Sequence, residues 1–199
     1  MLQSFSFAPL LFAVAAAFTP GPNNTMLLAS GLNFGFRRTI PHVLGIVVGC
    51  GIVMLVAGFG LGAVFATYPL VYTILKYVGA AYLLYLAYRI VIAGGVEGTD
   101  EKKGKPLSFI GAALFQWVNV KGLVAAISGV TIYSAIAPYP YNVLLLALIF
   151  GLVTLAATTA WALFGVGLRR VLSTPRAVRV FNAIMAALLV ASLYPVLAG

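Results

Sequence analysis

The chain has 199 residues, 63% of them hydrophobic and only 8% charged, with a mean hydropathy of +1.10. Soluble domains carry about 25% charged residues, so a soluble globular domain is excluded and an all-α integral membrane protein is expected. The net charge of +9 would suit nucleic acid, but the basic residues fall at the ends of apolar segments, where they act as topology signals, and no nucleic-acid partner is expected.

The first apolar run, from Phe5 to Phe36, is interrupted at Thr19-Pro20-Gly21-Pro22-Asn23-Asn24. Pro20 and Pro22 lack a backbone N–H and clash with the preceding turn, and Gly21 bends freely. Two half-helices are therefore predicted, with Pro22 or Asn23 opening the second. A break inside lipid frees backbone groups that lipid cannot satisfy, so it is expected to line a cavity or be buried in protein. Half-helix ends of this kind bind small charged ligands in transporters. The N-terminal segment has no Lys or Arg through residue 36, unlike a secretory signal, and is expected to be retained.

Six apolar segments follow one another, at about 5–35, 40–66, 71–94, 107–136, 142–167 and 180–198. Each approaches the ~20 residues that a membrane-spanning helix needs. Ten of the twelve basic residues (Arg37, Arg38, Arg89, Lys102, Lys103, Lys105, Arg169, Arg170, Arg176 and Arg179) lie on one side of the predicted topology. The opposite connections, Thr67–Leu70 and Pro138–Asn142, have none. The positive-inside rule then places both termini outside. In segment two, the pairs Gly45/Gly49 and Gly58/Gly62 form GxxxG motifs, which serve close packing within the bundle and also permit a homodimer. Tyr68, Tyr72, Tyr133, Tyr139, Tyr141 and Tyr194 fall near the predicted outer ends as an interfacial belt. His42, near the cytoplasmic end of segment two, reads as an interfacial residue ahead of a proton relay.

A charged stretch from Glu97 to Pro106 holds all three acidic residues. It divides one transmembrane domain, residues 1–199, into repeats of about 1–95 and 107–199, joined by a cytoplasmic linker of about 96–106. No carboxylate is then left inside the membrane. Segment four carries Gln116, Asn119 and Lys121 near its middle. A lysine at that depth needs water or a partner and marks a functional site. Gln116 and Asn119, three apart, would share a helix face. Segments one and four both open a half and both carry Asn near the middle. Gly79-Ala80-Ala81-Tyr82-Leu83-Leu84 in segment three parallels Met185-Ala186-Ala187-Leu188-Leu189-Val190 in segment six. Three crossings per half give opposite orientations, hence an inverted repeat whose site lies where segments one and four meet.

On these residues the chain resembles the LysE/RhtB family of bacterial amino-acid exporters over nearly its whole length. Thr19-Pro20-Gly21-Pro22-Asn23 is similar to the family's first-segment signature, and Phe34-Gly35-Phe36-Arg37-Arg38 to the element after it. Gly79-Ala80-Ala81-Tyr82-Leu83 matches the third-segment pattern. Asn119-Val120-Lys121 stands where many members have Asn-Pro-Lys; Val120 in place of that Pro predicts a less sharp break in segment four. Gln116-Trp117-Val118-Asn119-Val120-Lys121 is similar to the branch that exports cysteine and O-acetylserine. The resemblance implies export across the bacterial inner membrane, driven by the proton motive force.

A zwitterionic amino acid needs partners at both ends. The substrate-binding candidates are Thr19, Asn23, Asn24, Gln116, Asn119 and Lys121, with Pro20, Gly21 and Pro22 as the hinge. The carboxylate would sit near Asn23 and Asn24, at a helix N-terminus, with Lys121 adding charge. The ammonium would meet the carbonyls of Thr19 and Pro20, with Gln116 or Asn119 as further acceptors. Lys121, His42 or the substrate itself would carry a proton. The competing classes are an exporter or channel for another solute and a structural membrane protein. A thiol-redox protein needs a cysteine pair, whereas Cys50 is alone. A metal transporter needs carboxylate or thiolate clusters. No catalytic set, metal site or cofactor motif is visible, so an enzyme is not expected.

Overall fold

The computed structural model describes residues 7–61, 67–93, 104–172 and 174–194. Among them the fold is all helical, with eight α-helices and no strand. The acidic residues of the linker and Gly62 lie outside the described residues, as does the side chain of Tyr72.

Helix α1 (Ala8–Phe18) stops where Thr19 precedes a proline. A residue before Pro is pushed out of the helical region, and Thr19 is extended, with φ −59° and ψ 133°. Helix α2 (Pro22–Phe34) restarts at Pro22, not Asn23, because a proline at the first helical position has no N–H to leave unpaired. Gly35, at φ +80°, makes the sharp joint to α3 (Phe36–Val56), and a five-residue π turn, Ala57–Leu61, extends α3. Helix α4 (Pro69–Ala93) follows.

Segment four is two helices, α5 (Phe109–Phe115) and α6 (Val120–Ile132), bent by 62°. The mild break expected from Val120 is thus corrected. The chain leaves the helix before residue 120, through a turn closed by Trp117 N–H to Leu114 O (3.2 Å) and Val118 N–H to Phe115 O (3.1 Å). Residue 120 is already in the new helix, so a proline there is not what makes the bend. Helix α7 (Tyr141–Val171) runs 31 residues and ends on Arg169 and Arg170, which suit a helix C-terminus. Helix α8 (Pro175–Ala191) starts five residues before the predicted segment, capped by Thr174.

Among the described residues, three helices are long and apolar enough to cross a membrane, and the bent α5–α6 pair is a fourth candidate. Their outward faces are apolar too. On α3, Ile40, Leu44, Val48 and Ile52 are exposed at four-residue spacing, while Val43, Ile46 and Val53 are buried. A helix apolar on all sides belongs in lipid. His42 falls on the inward stripe and is 2% exposed, so its expected interfacial place is corrected. Tyr68, Tyr139, Tyr141 and Tyr194 are exposed, whereas Tyr133 packs on Phe12 with ring centroids 5.8 Å apart.

Helix α7 is the spine, packed along α1, α2 and α3; α5 packs on α3, and α4 on α8. Backbones touch where glycines allow it. A Cβ on Gly31 of α2 would lie 2.1 Å from Ala162 O, and one on Gly165 of α7 would lie 2.2 Å from Leu28 O. Gly45 and Gly49 admit Phe109 O and the Ala113 backbone in the same way, and Gly58 admits Val143. Asn33 and Asn182 exchange amide hydrogen bonds of 2.8 and 3.1 Å between α2 and α8. Such polar pairs hold helices together where no hydrophobic force acts between them.

Gly31→Ala is expected to lower stability by about 1–3 kcal/mol through overpacking. Gly51→Ala meets nothing within 4 Å and should stay within about 0.5 kcal/mol of the parent. Unfolding of the purified protein in mixed micelles compares the two.

Candidate functional site

The two broken segments meet. The end of α1 leaves carbonyls without helical partners. Thr19 N–H and the Thr19 hydroxyl both donate to Ala15 O. Asn24 Nδ2 donates to Ala17 O at 2.8 Å and to Thr19 O at 2.9 Å. Lys121, from the first turn of α6, reaches across and donates its ammonium to Thr19 O at 2.6 Å and to Pro20 O at 3.4 Å. A cation is misplaced at the N-terminus of its own helix and well placed at the C-terminus of another. The carbonyl end of α1 therefore compensates Lys121, and Lys121 closes the break.

Gly21 makes room for this link. Its backbone is extended, which any residue adopts, but a Cβ there would lie 2.9 Å from Lys121 Cδ and 3.0 Å from Nζ.

Gln116 is the second junction. It is 1% exposed. Its Oε1 accepts from Asn23 Nδ2 (2.8 Å), Asn119 Nδ2 (3.2 Å) and Cys50 Sγ (3.4 Å). Its Nε2 donates to Asn23 Oδ1 (3.2 Å) and Ala112 O (2.8 Å). Gln116 and Asn119 thus meet across the turn between two helices and not along one helix face. Asn119 Oδ1 is buried with no hydrogen-bond partner among the described residues.

These groups line one pocket with a cavity volume of about 80 Å³. The first turns of α2 and α6 both line it, with N–H groups that have no intrahelical acceptor. Alanines of α1 and α6 and Ile46 of α3 supply apolar wall. Of the residues picked from sequence, Gly21, Pro22, Asn23, Asn24, Gln116, Asn119 and Lys121 line the pocket; Thr19 and Pro20 stand at its edge through their carbonyls. The carbonyls expected to hold a substrate ammonium hold Lys121 instead.

Three polar lining residues have no sequence signal that singles them out as a site: Cys50, Thr154 and Thr158. The threonines lie four apart in the middle of an apolar helix, which is the only hint along the chain. Cys50 has no pattern of its own; only the fold brings it to Gln116. No cluster of three His, Cys, Asp or Glu side chains forms among the described residues.

Residues 14–192 match the family model described as LysE type translocator. The chain belongs to the LysE family. It is accordingly a multi-pass membrane transporter and not an enzyme. Similar proteins include cysteine/O-acetylserine efflux proteins of Salmonella paratyphi A and Salmonella typhi, each 30% identical over 156 residues, covering 77% of this chain and 78% of the relative. The protein of that name from Escherichia coli K12 is 31% identical over 122 residues, 61% of this chain and 62% of its own. No solved structure matches.

Gln116→Leu would strand the amide of Asn23 and part of that of Asn119, and is expected to lower stability by about 1–3 kcal/mol. Cys50→Ala removes one weak donor and should cost less than about 1 kcal/mol. Thermal unfolding of both variants measures the difference.

Proposed function

We propose that this LysE-family protein exports a small amino acid or close derivative, of the cysteine and O-acetylserine class, from the bacterial cytoplasm across the inner membrane. The observation that carries the reading is the Lys121–Thr19 link, which joins two broken helices over one pocket. The names of the similar proteins support the substrate class.

The substrate carboxylate takes the Lys121 ammonium and the free N–H groups at the starts of α2 and α6. Its ammonium takes Asn119 Oδ1, the buried acceptor without a hydrogen-bond partner among the described residues. The carboxylate then competes with Thr19 O for Lys121. A bound substrate loosens the tie between the two broken helices, and their halves rock to open the pocket on the other side, with Gly21 at the pivot.

The same reading has six crossings in two inverted repeats, with both termini outside. Breaks at corresponding places in segments one and four support it, as does the packing of α4, third in its half, on α8, third in the other. Export is coupled to the proton gradient, with Lys121 or the substrate amine as the carrier. Gly45, Gly49 and Gly58 are used inside the chain, so a homodimer would form through another face.

Efflux of labelled O-acetylserine, cysteine and a wider amino-acid panel from proteoliposomes tests the reading. Saturable export of the small polar members, accelerated by an inward proton gradient, is the expected result. Lys121→Met removes a charge-assisted contact and should cut the rate by about tenfold or more. Gly21→Ala moves only the flexible lysine tip and should slow export with little change in unfolding. Parent-level export by a folded Lys121→Met protein would take the site away from Lys121. Ion conductance without saturation would make the protein a channel.

A further inference from the structure

A second, partly open cavity with a volume of about 50 Å³ lies at the basic end of the bundle. Ser30 and Asn33 of α2, His42 of α3, Arg89 of α4 and Lys105 before α5 contribute its polar lining. Val43 of α3 and Ala112 of α5, in one buried apolar cluster with Leu27 and Ile46, lie between the residues that line this cavity and those that line the central pocket. His42 and Cys50 are eight residues apart on α3, ~12 Å at 1.5 Å per residue. The two cavities are therefore stacked along the same pair of helices, with a dry layer between.

The polar groups of this cavity fall into two sets. Asn33 Nδ2 donates to Ala29 O and to Asn182 Oδ1, and its Oδ1 accepts from Asn182. Thr39 Oγ1 donates to Gly35 O, so the 2.9 Å contact between Ser30 and Thr39 has Ser30 as donor. These groups hold helices. His42 does not: it is 2% exposed and neither ring nitrogen has a partner among the described residues. An imidazole always carries at least one N–H, and a buried N–H needs an acceptor. Arg89 gives one N–H to the Tyr85 hydroxyl and one to Lys105 O, both at 3.0 Å, and its guanidinium has others to give. Lys105 adds a second cation, and among the described residues no carboxylate lines the cavity. What this cavity offers is donors and positive charge.

We propose that this cavity is a second solute site, which takes the carboxylate of the exported amino acid between the His42 imidazole and the Arg89 guanidinium before the solute passes the Val43–Ala112 layer. The proposal rests on the export reading above. It gives the solute a resting place at the basic end that is distinct from the central pocket and uses none of its groups.

His42 is the only histidine in the chain, so ¹⁵N-histidine labelling of the full-length protein in nanodiscs gives one imidazole to watch. With O-acetyl-L-serine as the probe, the imidazole resonances are expected to shift saturably. The shift should persist in Asn23→Leu, whose central pocket is disabled. Arg89→Gln should raise the half-saturating concentration by about tenfold or more through loss of a charge-assisted bond. Arg89→Lys, which keeps the charge without the fork, should fall between. Resonances that stay still, in a preparation that exports O-acetylserine, overturn the second site and leave the export reading standing. A shift abolished by Asn23→Leu and untouched by Arg89→Gln also overturns it, since the signal then comes from the central pocket. A saturable shift in a protein that exports no amino acid overturns the export reading and, with it, the identity given to the solute.

Discussion

A bilayer offers no hydrogen bonds, and the structure depends on that constraint at one point above all. Breaking the first segment at Pro20 leaves carbonyls that lipid cannot satisfy. Placing Lys121 in the fourth segment leaves a charge that lipid cannot accommodate. The 2.6 Å contact between Lys121 Nζ and Thr19 O answers both problems at once. It also fixes where the two segments cross, and so where the pocket forms. The 62° bend between α5 and α6 belongs to the same solution, since it sets the N-terminus of α6 beside the end of α1.

The rest of the bundle holds that crossing in place without a hydrophobic drive between helices. Close backbone approach does part of it, at Gly31 and Gly165 between α2 and α7 and at Gly45 and Gly49 between α3 and α5. Buried amides do another part, with Asn33 on Asn182 at one level and Gln116 on Asn23 at the next. The saturated amides are rigid joints. The unsaturated groups, Asn119 Oδ1 and the His42 ring nitrogens, belong to residues that line cavities and have no hydrogen-bond partner among the described residues. That contrast separates polar residues that hold helices from polar residues that can hold a solute.

Proline chemistry is legible in the chain, and so is the cost of a mid-membrane lysine; these single out Asn23, Gln116, Asn119 and Lys121, which the fold brings to one pocket. Two readings failed for physical reasons. Val120 carried no information about the bend, because the turn closes at Trp117 and Val118, before residue 120. The place of His42 near a segment end reads as interfacial. Depth along a helix is readable from sequence, but which way the side chain points depends on neighbours, and the neighbours put it inside.

The sequence alone determined the solvent, the helical class, the break at Pro20-Gly21-Pro22 and the family. Each follows from local properties: apolar content, charge placement, the missing N–H of proline and short motifs. Tertiary structure decided the rest. It gave the Thr19 carbonyl to Lys121, 102 positions away, made Gln116 the shared acceptor for Asn23, Asn119 and Cys50, and set His42 against a second cavity. None of these could be read along the chain, because a hydrogen bond depends on distance in space, and that distance is fixed only when helices far apart in sequence pack.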